Sequence, residues 1–327
     1  MAVDSQKSAA VAPIAGPVSP GQTTPVESRA EKPFNSDGIS VARDLVVSEL
    51  AQSKRDAGIG TTSTGVMVFM RDSEHFVLIR GLLREARHWG EFSGSLQQQF
   101  PCARISTPDI PGNGQLHQAI SPKTIAGMTE ALRQQINTNQ PLRLIALSMG
   151  GMIAMDWMTR YPDEIEAAVL INTSARPISP FYHRLRWTVY LQVLKIIFHS
   201  AAQKEADILS LTSNRHPHDN KLLESWQQWQ QQNPVSKVSA RNQFLAAAKF
   251  SITNKPQQPI LIVTSMADRL VDYRCSLKLA ETWQIGYVQH ETAGHDLPLD
   301  EPEWLAHVIK DGLIRILLQP PEFNRIR

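Results

Sequence analysis

Leu144-Ile145-Ala146-Leu147-Ser148-Met149-Gly150-Gly151 is the stretch on which the reading of this chain turns. Residues 142–147 form an apolar run broken only by Arg143, the pattern of a short buried strand. The run stops at Ser148, and Met152-Ile153-Ala154-Met155-Asp156-Trp157-Met158 then reads as a helix ending near Tyr161-Pro162. A strand that turns sharply into a helix with serine at the corner pushes Oγ out of the sheet. The N–H of Met149 and the positive helix end then lie beside it. Gly150 and Gly151 let the helix start close to neighbouring strands. Taken alone, Ser148 could instead only cap the helix, and the rest of the chain must separate the two readings.

On either side the chain alternates strand and helix. Val66-Met67-Val68-Phe69-Met70 and Phe76-Val77-Leu78-Ile79 are strand candidates, and the second runs into Arg80-Gly81-Leu82-Leu83. A helical pattern over 92–100 follows, then a strand over 103–107. The turn-rich Asp109-Ile110-Pro111-Gly112-Asn113-Gly114 and a helix over 125–136 come next. After the Ser148 unit, residues 167–171 form another strand. The alternation then stops. Residues 177–252 contain no convincing strand and read as helices over 182–199, 201–211, 221–232 and 236–248. Strands at 259–264 and 287–290 and a helix over 302–318 complete the chain. This is an α/β protein with a mostly parallel sheet. The helical block at 177–252 is expected to cap the sheet's C-terminal edge, where such sheets bind ligands.

Composition narrows the class. A chain of 327 residues, 42% hydrophobic, can build a sizeable core. The net charge of +2 gives no field that would favour nucleic acid. The two cysteines, Cys102 and Cys275, form no disulfide framework and suit a reducing compartment, so the expected location is cytoplasmic. Residues 1–62 are expected to be a disordered tail rich in Ala, Pro and Ser, with a weak amphipathic helix possible over 39–51. Its apolar residues are too broken for a signal peptide. No run is long enough for a transmembrane helix. Residues 63–327 are expected to form one domain.

Acyl transfer by serine requires a base beside the nucleophile, a carboxylate to orient the base, and donors for the oxyanion. Each has a candidate at a strand end. The acid is Asp268, just after the strand over 259–264, with Asp272 close behind as the alternative. The base is His295, in Ala293-Gly294-His295-Asp296, after the last strand. The oxyanion donors are the N–H groups of Leu82 and Met149. His216-Pro217-His218 resembles a metal spacing but lacks further ligands, so no metal and no cofactor is expected.

The order Ser148, Asp268, His295, with the Gly81 turn upstream, resembles the α/β-hydrolase family, in its capped, single-domain bacterial form. The resemblance runs from about Gly65 to the C-terminus. Ala146-Leu147-Ser148-Met149-Gly150 stands where that family usually has Gly-x-Ser-x-Gly. Arg80-Gly81 stands for its His-Gly, Asp109 to Gly114 for its Asp-x-Pro-Gly-x-Gly, and Gly294-His295 for its Gly-His pair. The resemblance implies Ser148 as nucleophile, His295 as base and Asp268 as orienter. Serine at the elbow sets aside the family's epoxide hydrolases and haloalkane dehalogenases, which place Asp there.

The expected function is hydrolysis of a carboxylic ester, with a small molecule bearing an apolar moiety as substrate. A thioesterase or carbon–carbon hydrolase could use the same residues. The Arg80 departure also keeps open a hydrolase-like protein that binds a ligand with little turnover. Residues 187–198 are apolar nearly all round, which predicts a helix buried on more than one side. Leu83, Trp89, Tyr190, Leu194 and Trp226 are the candidate pocket residues.

Overall fold

The computed structural model describes residues 74–318. The N-terminal tail, the helix expected at 39–51 and the strand expected at 66–70 lie outside them. Among the described residues, six strands form one sheet: β1 His75–Ile79, β2 Arg104–Ser106, β3 Leu142–Leu147, β4 Ile165–Ile171, β5 Ile260–Ser265 and β6 Tyr287–His290. The spatial order is β2-β1-β3-β4-β5-β6. Every adjacent pair is parallel, so all the C-terminal strand ends share one edge. The chain winds outward from β1 to β2, then returns to β3 and winds the other way. The reversal between β1 and β3 leaves a crevice at that edge, the place where open α/β sheets bind ligands. Ser148 follows β3 and Gly81 follows β1, so both flank it.

Parallel strands are covered on both faces, which is why these read as nearly continuous apolar runs. In β3, Leu142, Leu144 and Ala146 pack with Met128 and Leu132 of α2 (Ile125–Arg133) and Met155 of α3 (Met149–Arg160). Ile145 and Leu147 face the other layer, with Phe92 and Leu96 of α1 (Phe92–Gln99) and Leu305 and Ile309 of the C-terminal helix. Truncating one of these, as in Leu144→Ala, is expected to cost about 2–5 kcal/mol. Arg143 interrupts the run without leaving an unpaired charge. It pairs with Glu74 at 2.5 Å and Glu166 at 2.8 Å.

Between β4 and β5 the chain inserts five helices: α4 Phe181–Arg184, α5 Tyr190–Phe198, α6 Ala201–Thr212, α7 Asn220–Gln232 and α8 Lys237–Lys249. Side chains at their N-termini define three of the starts. Ser200 and Gln203 form a capping box, Asp219 accepts from the N–H of Leu222, and Ser236 from that of Ser239. The single helix expected over 182–199 is split. Leu185 is extended, and the Arg186 N–H donates to the Leu270 carbonyl instead of to the preceding helical turn. After β5 come α9 Arg274–Trp283, the short α10 Leu297–Asp300 and α11 Pro302–Leu318. Among the described residues no helix is long and apolar enough to cross a membrane.

The expectation that residues 187–198 are buried on more than one side is not met. Leu191 is 74% exposed and Leu194 53%. Among the described side chains of α5, Gln192, Val193 and Ile196 are half-buried and none is fully buried.

Candidate active site

Ser148 sits at the β3–α3 corner with φ 57° and ψ −117°, a backbone conformation that costs a non-glycine residue energy. Three contacts hold it there. Its N–H donates to the Ile171 carbonyl at 2.8 Å. Its carbonyl accepts from the Gly151 N–H at 3.0 Å and from Thr173 Oγ1 at 2.7 Å. Glycine at 150 is required by packing, since a Cβ there would run into the Ile79 carbonyl oxygen at the end of β1. Gly81 approaches from the next strand, and a Cβ on it would lie 3.2 Å from Ser148 Cβ and 3.7 Å from Oγ. The backbone of the β1 turn therefore lines the serine directly.

The turn itself is strained and clamped. Leu83 has φ 59°, and its N–H is taken by Gln243 Oε1 of α8 at 2.9 Å. Gln243 also donates to Asn113 Oδ1 and Ser121 Oγ, so the β1 turn, the Asp109 loop and α8 are locked together. Asp109 accepts from the Ala86 N–H at 2.8 Å and the Gln115 N–H at 2.9 Å. Among the described residues no backbone carbonyl outside the helices and strands accepts from the N–H groups of Leu82 and Met149. Arg80, which stands where the related pattern has His, makes a buried two-pronged pair with Asp296. Nη1 lies 3.0 Å from Oδ1 and Nη2 2.6 Å from Oδ2. Its guanidinium also covers the Trp89 ring at 4.9 Å. The turn beside Ser148 is thus tied to the residue after His295.

His295 Nδ1 lies 2.6 Å from Asp268 Oδ2, and both residues are buried. The other oxygen of Asp268 accepts from the N–H groups of Leu270 and Val271, at 2.8 and 2.9 Å. A carboxylate held from both sides fixes the imidazole's orientation and tautomer. The alternative acid, Asp272, is bonded to Arg274 instead, whose guanidinium holds its carboxyl below the usual range. His290, the other histidine near the last strand, accepts from the Thr292 and Ala293 N–H groups through Nδ1 and packs edge-on against Trp304.

Three consecutive residues join the serine to the histidine. Ile171 and Thr173 bind the Ser148 backbone, while Asn172 Nδ2 donates to the His295 carbonyl at 2.9 Å. Asn172 Oδ1 accepts from the Ser265 N–H at 2.8 Å, which ties in the end of β5. Asn172 was not singled out from the sequence. Its signal was an Asn ending a strand, a residue that tolerates the φ of 45° found there. Asp300 was missed as well. Buried, it accepts from Gly294 N–H at 2.6 Å, Ser213 Oγ at 2.5 Å and Asn214 N–H at 2.9 Å, fastening the His295 loop to the insertion.

The expected pocket residues do not assemble around Ser148 as a group. Trp89 is core, packed on Phe92 beneath Arg80. Tyr190 and Leu194 are exposed, at 38% and 53%. Trp226 is fully buried with its ring on the Arg84 guanidinium, 4.5 Å away. Arg84 in turn pairs with Glu205 at 2.7 Å, joining the β1 turn to α6. Leu83 and Trp226 share with His88 a void of about 10 Å³, room for about one water. Among the described residues no group of three or more His, Cys, Asp or Glu side chains could hold a metal ion.

Comparison with known proteins agrees with this architecture. A family model described as alpha/beta hydrolase fold matches residues 74–302. A thermophilic esterase from Thermogutta terrifontis superposes with a TM-score of 0.59 at 19% identity, covering 74% of this chain and 90% of that one. A serine hydrolase from Cycloclasticus zankles gives a TM-score of 0.60 at 14% identity, covering 75% and 92%. At such identities the likeness is one of fold. A 74-residue stretch is 36% identical to a homoserine O-acetyltransferase of Pelobacter propionicus, but it spans only 20% of that enzyme and 20% of this chain.

Proposed function

The chain belongs to the alpha/beta hydrolase family, and from that premise we propose that it cleaves a carboxylic ester through an acyl-enzyme formed on Ser148. One observation carries the reading. The strained Ser148 corner lies against the Gly81 turn and is joined through residues 171–173 to a histidine already oriented by a buried aspartate. In the first half-reaction Ser148 Oγ attacks the acyl carbon while His295 Nε2 takes its proton. The N–H groups of Leu82 and Met149 stabilise the oxyanion, and His295 returns the proton to the leaving alcohol. In the second, His295 deprotonates water, which attacks the acyl-enzyme, and Ser148 leaves with the proton. The Asp268 carboxylate stabilises the imidazolium in both steps. The five inserted helices act as a cap over this edge.

The Arg80–Asp296 pair supports turnover over a non-catalytic binder, since it gives the turn beside Ser148 a brace in place of the usual His. The short match to an O-acetyltransferase favours one second reading. There the same acyl-enzyme would be intercepted by an alcohol in place of water.

Labelling with a fluorophosphonate probe, together with hydrolysis of p-nitrophenyl esters, tests the proposal. Ser148→Ala should abolish labelling and lower kcat by roughly 10⁴-fold or more, with the fold intact. His295→Ala should lower kcat comparably, and the double variant should be little worse than either. Near-normal ester hydrolysis by Ser148→Ala would overturn the mechanism. Transfer of the acyl group to an added hydroxyl compound in preference to water would select the acyltransferase reading.

A further inference from the structure

The insertion carries a surface that the proposed chemistry does not use. Trp187, Leu191, Leu194 and Phe198 recur at helical spacing on one face of α5 and the turn before it, with Phe181 and Tyr182 of α4 nearby in sequence. Phe198 is 80% exposed and Trp187 70%. Isolated exposed apolar residues are ordinary, but a run of large ones on consecutive short helices marks an interaction site.

The charge around the run has one sign. From residue 167 to residue 204 there is no Asp or Glu, while Arg176, Arg184, Arg186, Lys195 and Lys204 supply five cations. Arg176 and Lys195 are exposed. Arg184 and Arg186 donate to backbone carbonyls of Ala247, Ala248 and Asp268 rather than to carboxylates, although the Asp272 carboxylate lies within electrostatic reach of Arg186. The acids that follow on α6 are already paired, Glu205 with Arg84 and Asp207 with His199.

We propose that the exposed face of residues 181–198 docks this protein onto an anionic lipid bilayer. Exposed Trp, Tyr, Phe and Leu flanked by cations match a surface that is apolar beneath a negative headgroup layer. A second copy of the chain fits less well. A two-fold contact would set Arg176 and Lys195 against the same cations of the partner with no acid on the segment to balance them. Docking would be peripheral, since no described helix is suited to span the bilayer.

The surface is fastened to the candidate active site. Arg186 N–H donates to the Leu270 carbonyl and its Nη1 to the Asp268 carbonyl, while the Asp272 N–H donates to the His183 carbonyl. The segment that meets the bilayer is therefore strapped to the loop that orients His295, and an ester drawn from the lipid layer would arrive beside it. The docking claim itself is read without turnover, so its failure and that of the ester reading are separable.

The test is co-sedimentation of the full chain with vesicles of phosphatidylcholine alone or mixed with phosphatidylglycerol, at low and high salt. Wild-type protein should bind the mixed vesicles at least about tenfold more tightly than the neutral ones, with the advantage lost at high salt. Leu191→Ser with Phe198→Ser should lower that binding at least about tenfold, and Lys195→Glu should lower it by roughly fivefold. Each variant should keep the wild-type circular dichroism spectrum and Tm, which report that it is folded. Equal binding to both vesicle types, or no binding to either, overturns the proposal. Light scattering that shows a dimer dissociated by Leu191→Ser with Phe198→Ser would assign the face to a second copy. Protection of residues 1–73 from trypsin that is lost in that variant would assign it to the chain's own N-terminal segment. Either result would also overturn the lipid reading.

Discussion

Replacing Arg80 by Met tests how the oxyanion turn is held. The side chains of Arg80 and Asp296 are each only 4% exposed, and two hydrogen bonds join them. Removing one partner of such a pair strands the other charge in the interior, at a cost of about 3–5 kcal/mol. For a domain of this size each kcal/mol lowers Tm by about 2–4 °C, so Arg80→Met should melt roughly 6–20 °C below wild type. Its kinetic effect follows from position. Arg80 precedes Gly81, whose backbone lines Ser148, and Asp296 follows His295. Deleting one oxyanion donor outright costs about 10²–10³ in kcat. Loosening the turn should cost less, about ten- to a hundredfold, with KM little changed. Arg80→Met combined with Asp296→Leu separates the two roles. With no stranded charge, stability should return to within about 2 kcal/mol of wild type. The kcat should stay low, because an apolar contact does not fix the turn's register as a two-pronged pair does. Urea melts and p-nitrophenyl ester kinetics on the four proteins read both quantities. An Arg80→Met protein within about 1 kcal/mol and about threefold in kcat of wild type would refute the reasoning.

Three other outcomes are expected. Asp268→Asn should lower kcat by about 10⁴-fold and Asp272→Asn far less, since only Asp268 contacts His295; steady-state kinetics would expose a reversed ranking. Asn172→Ala should lower stability by about 2–4 kcal/mol and kcat by about tenfold, because it leaves the buried Ser265 N–H and the His295 carbonyl without their partner; thermal melts and kinetics check both. His88 is buried, and burial first, then Arg84, keeps its pKa well below the ordinary 6.5. Below pH 6.5 the unfolded chain takes up a proton that the folded chain refuses. The contribution is therefore fully present above that pH, and stability should fall below it by up to about 1.4 kcal/mol per pH unit. His88→Gln should show a shallower acid limb in denaturant melts at several pH values, and an equal slope would contradict the assignment.

The β3–Ser148–α3 unit was legible because two local signals coincide there, a strand-length apolar run and an abrupt change to helical spacing. Asp268 and His295 were legible by position, since each follows a strand whose C-terminal end must lie on the same edge once the sheet is parallel. What holds these residues was not legible. Arg80 looked like a defect when set beside a familiar pattern, and its partner Asp296 lies 216 positions away. The same distance hid Gln243 from Leu83, 160 positions apart. Such partners leave no periodicity, because a single polar side chain reaching across the fold has no spacing to repeat. Their traces are isolated: an Asn ending a strand, or an Asp beside the candidate base.

The misreading of α5 has a different origin. Hydrophobic spacing reports that a face must be removed from water, and it does not say whether the same domain or a partner covers that face. In the structure Val189 turns inward and is buried, whereas Trp187, Leu191, Leu194 and Phe198 stand in solvent. A helix in a core and a helix at a lipid surface present the same apolar stripe, so the stripe cannot distinguish them. The residues between the apolar positions carry the distinguishing information. Core-facing helices of this chain mix signs on their outer sides, as in α3, where Asp156 and Arg160 pair. The stretch around α5 has cations alone. Charge of one sign beside an uncovered apolar face fits a negatively charged partner better than it fits the interior of this protein, and the vesicle experiment measures that difference.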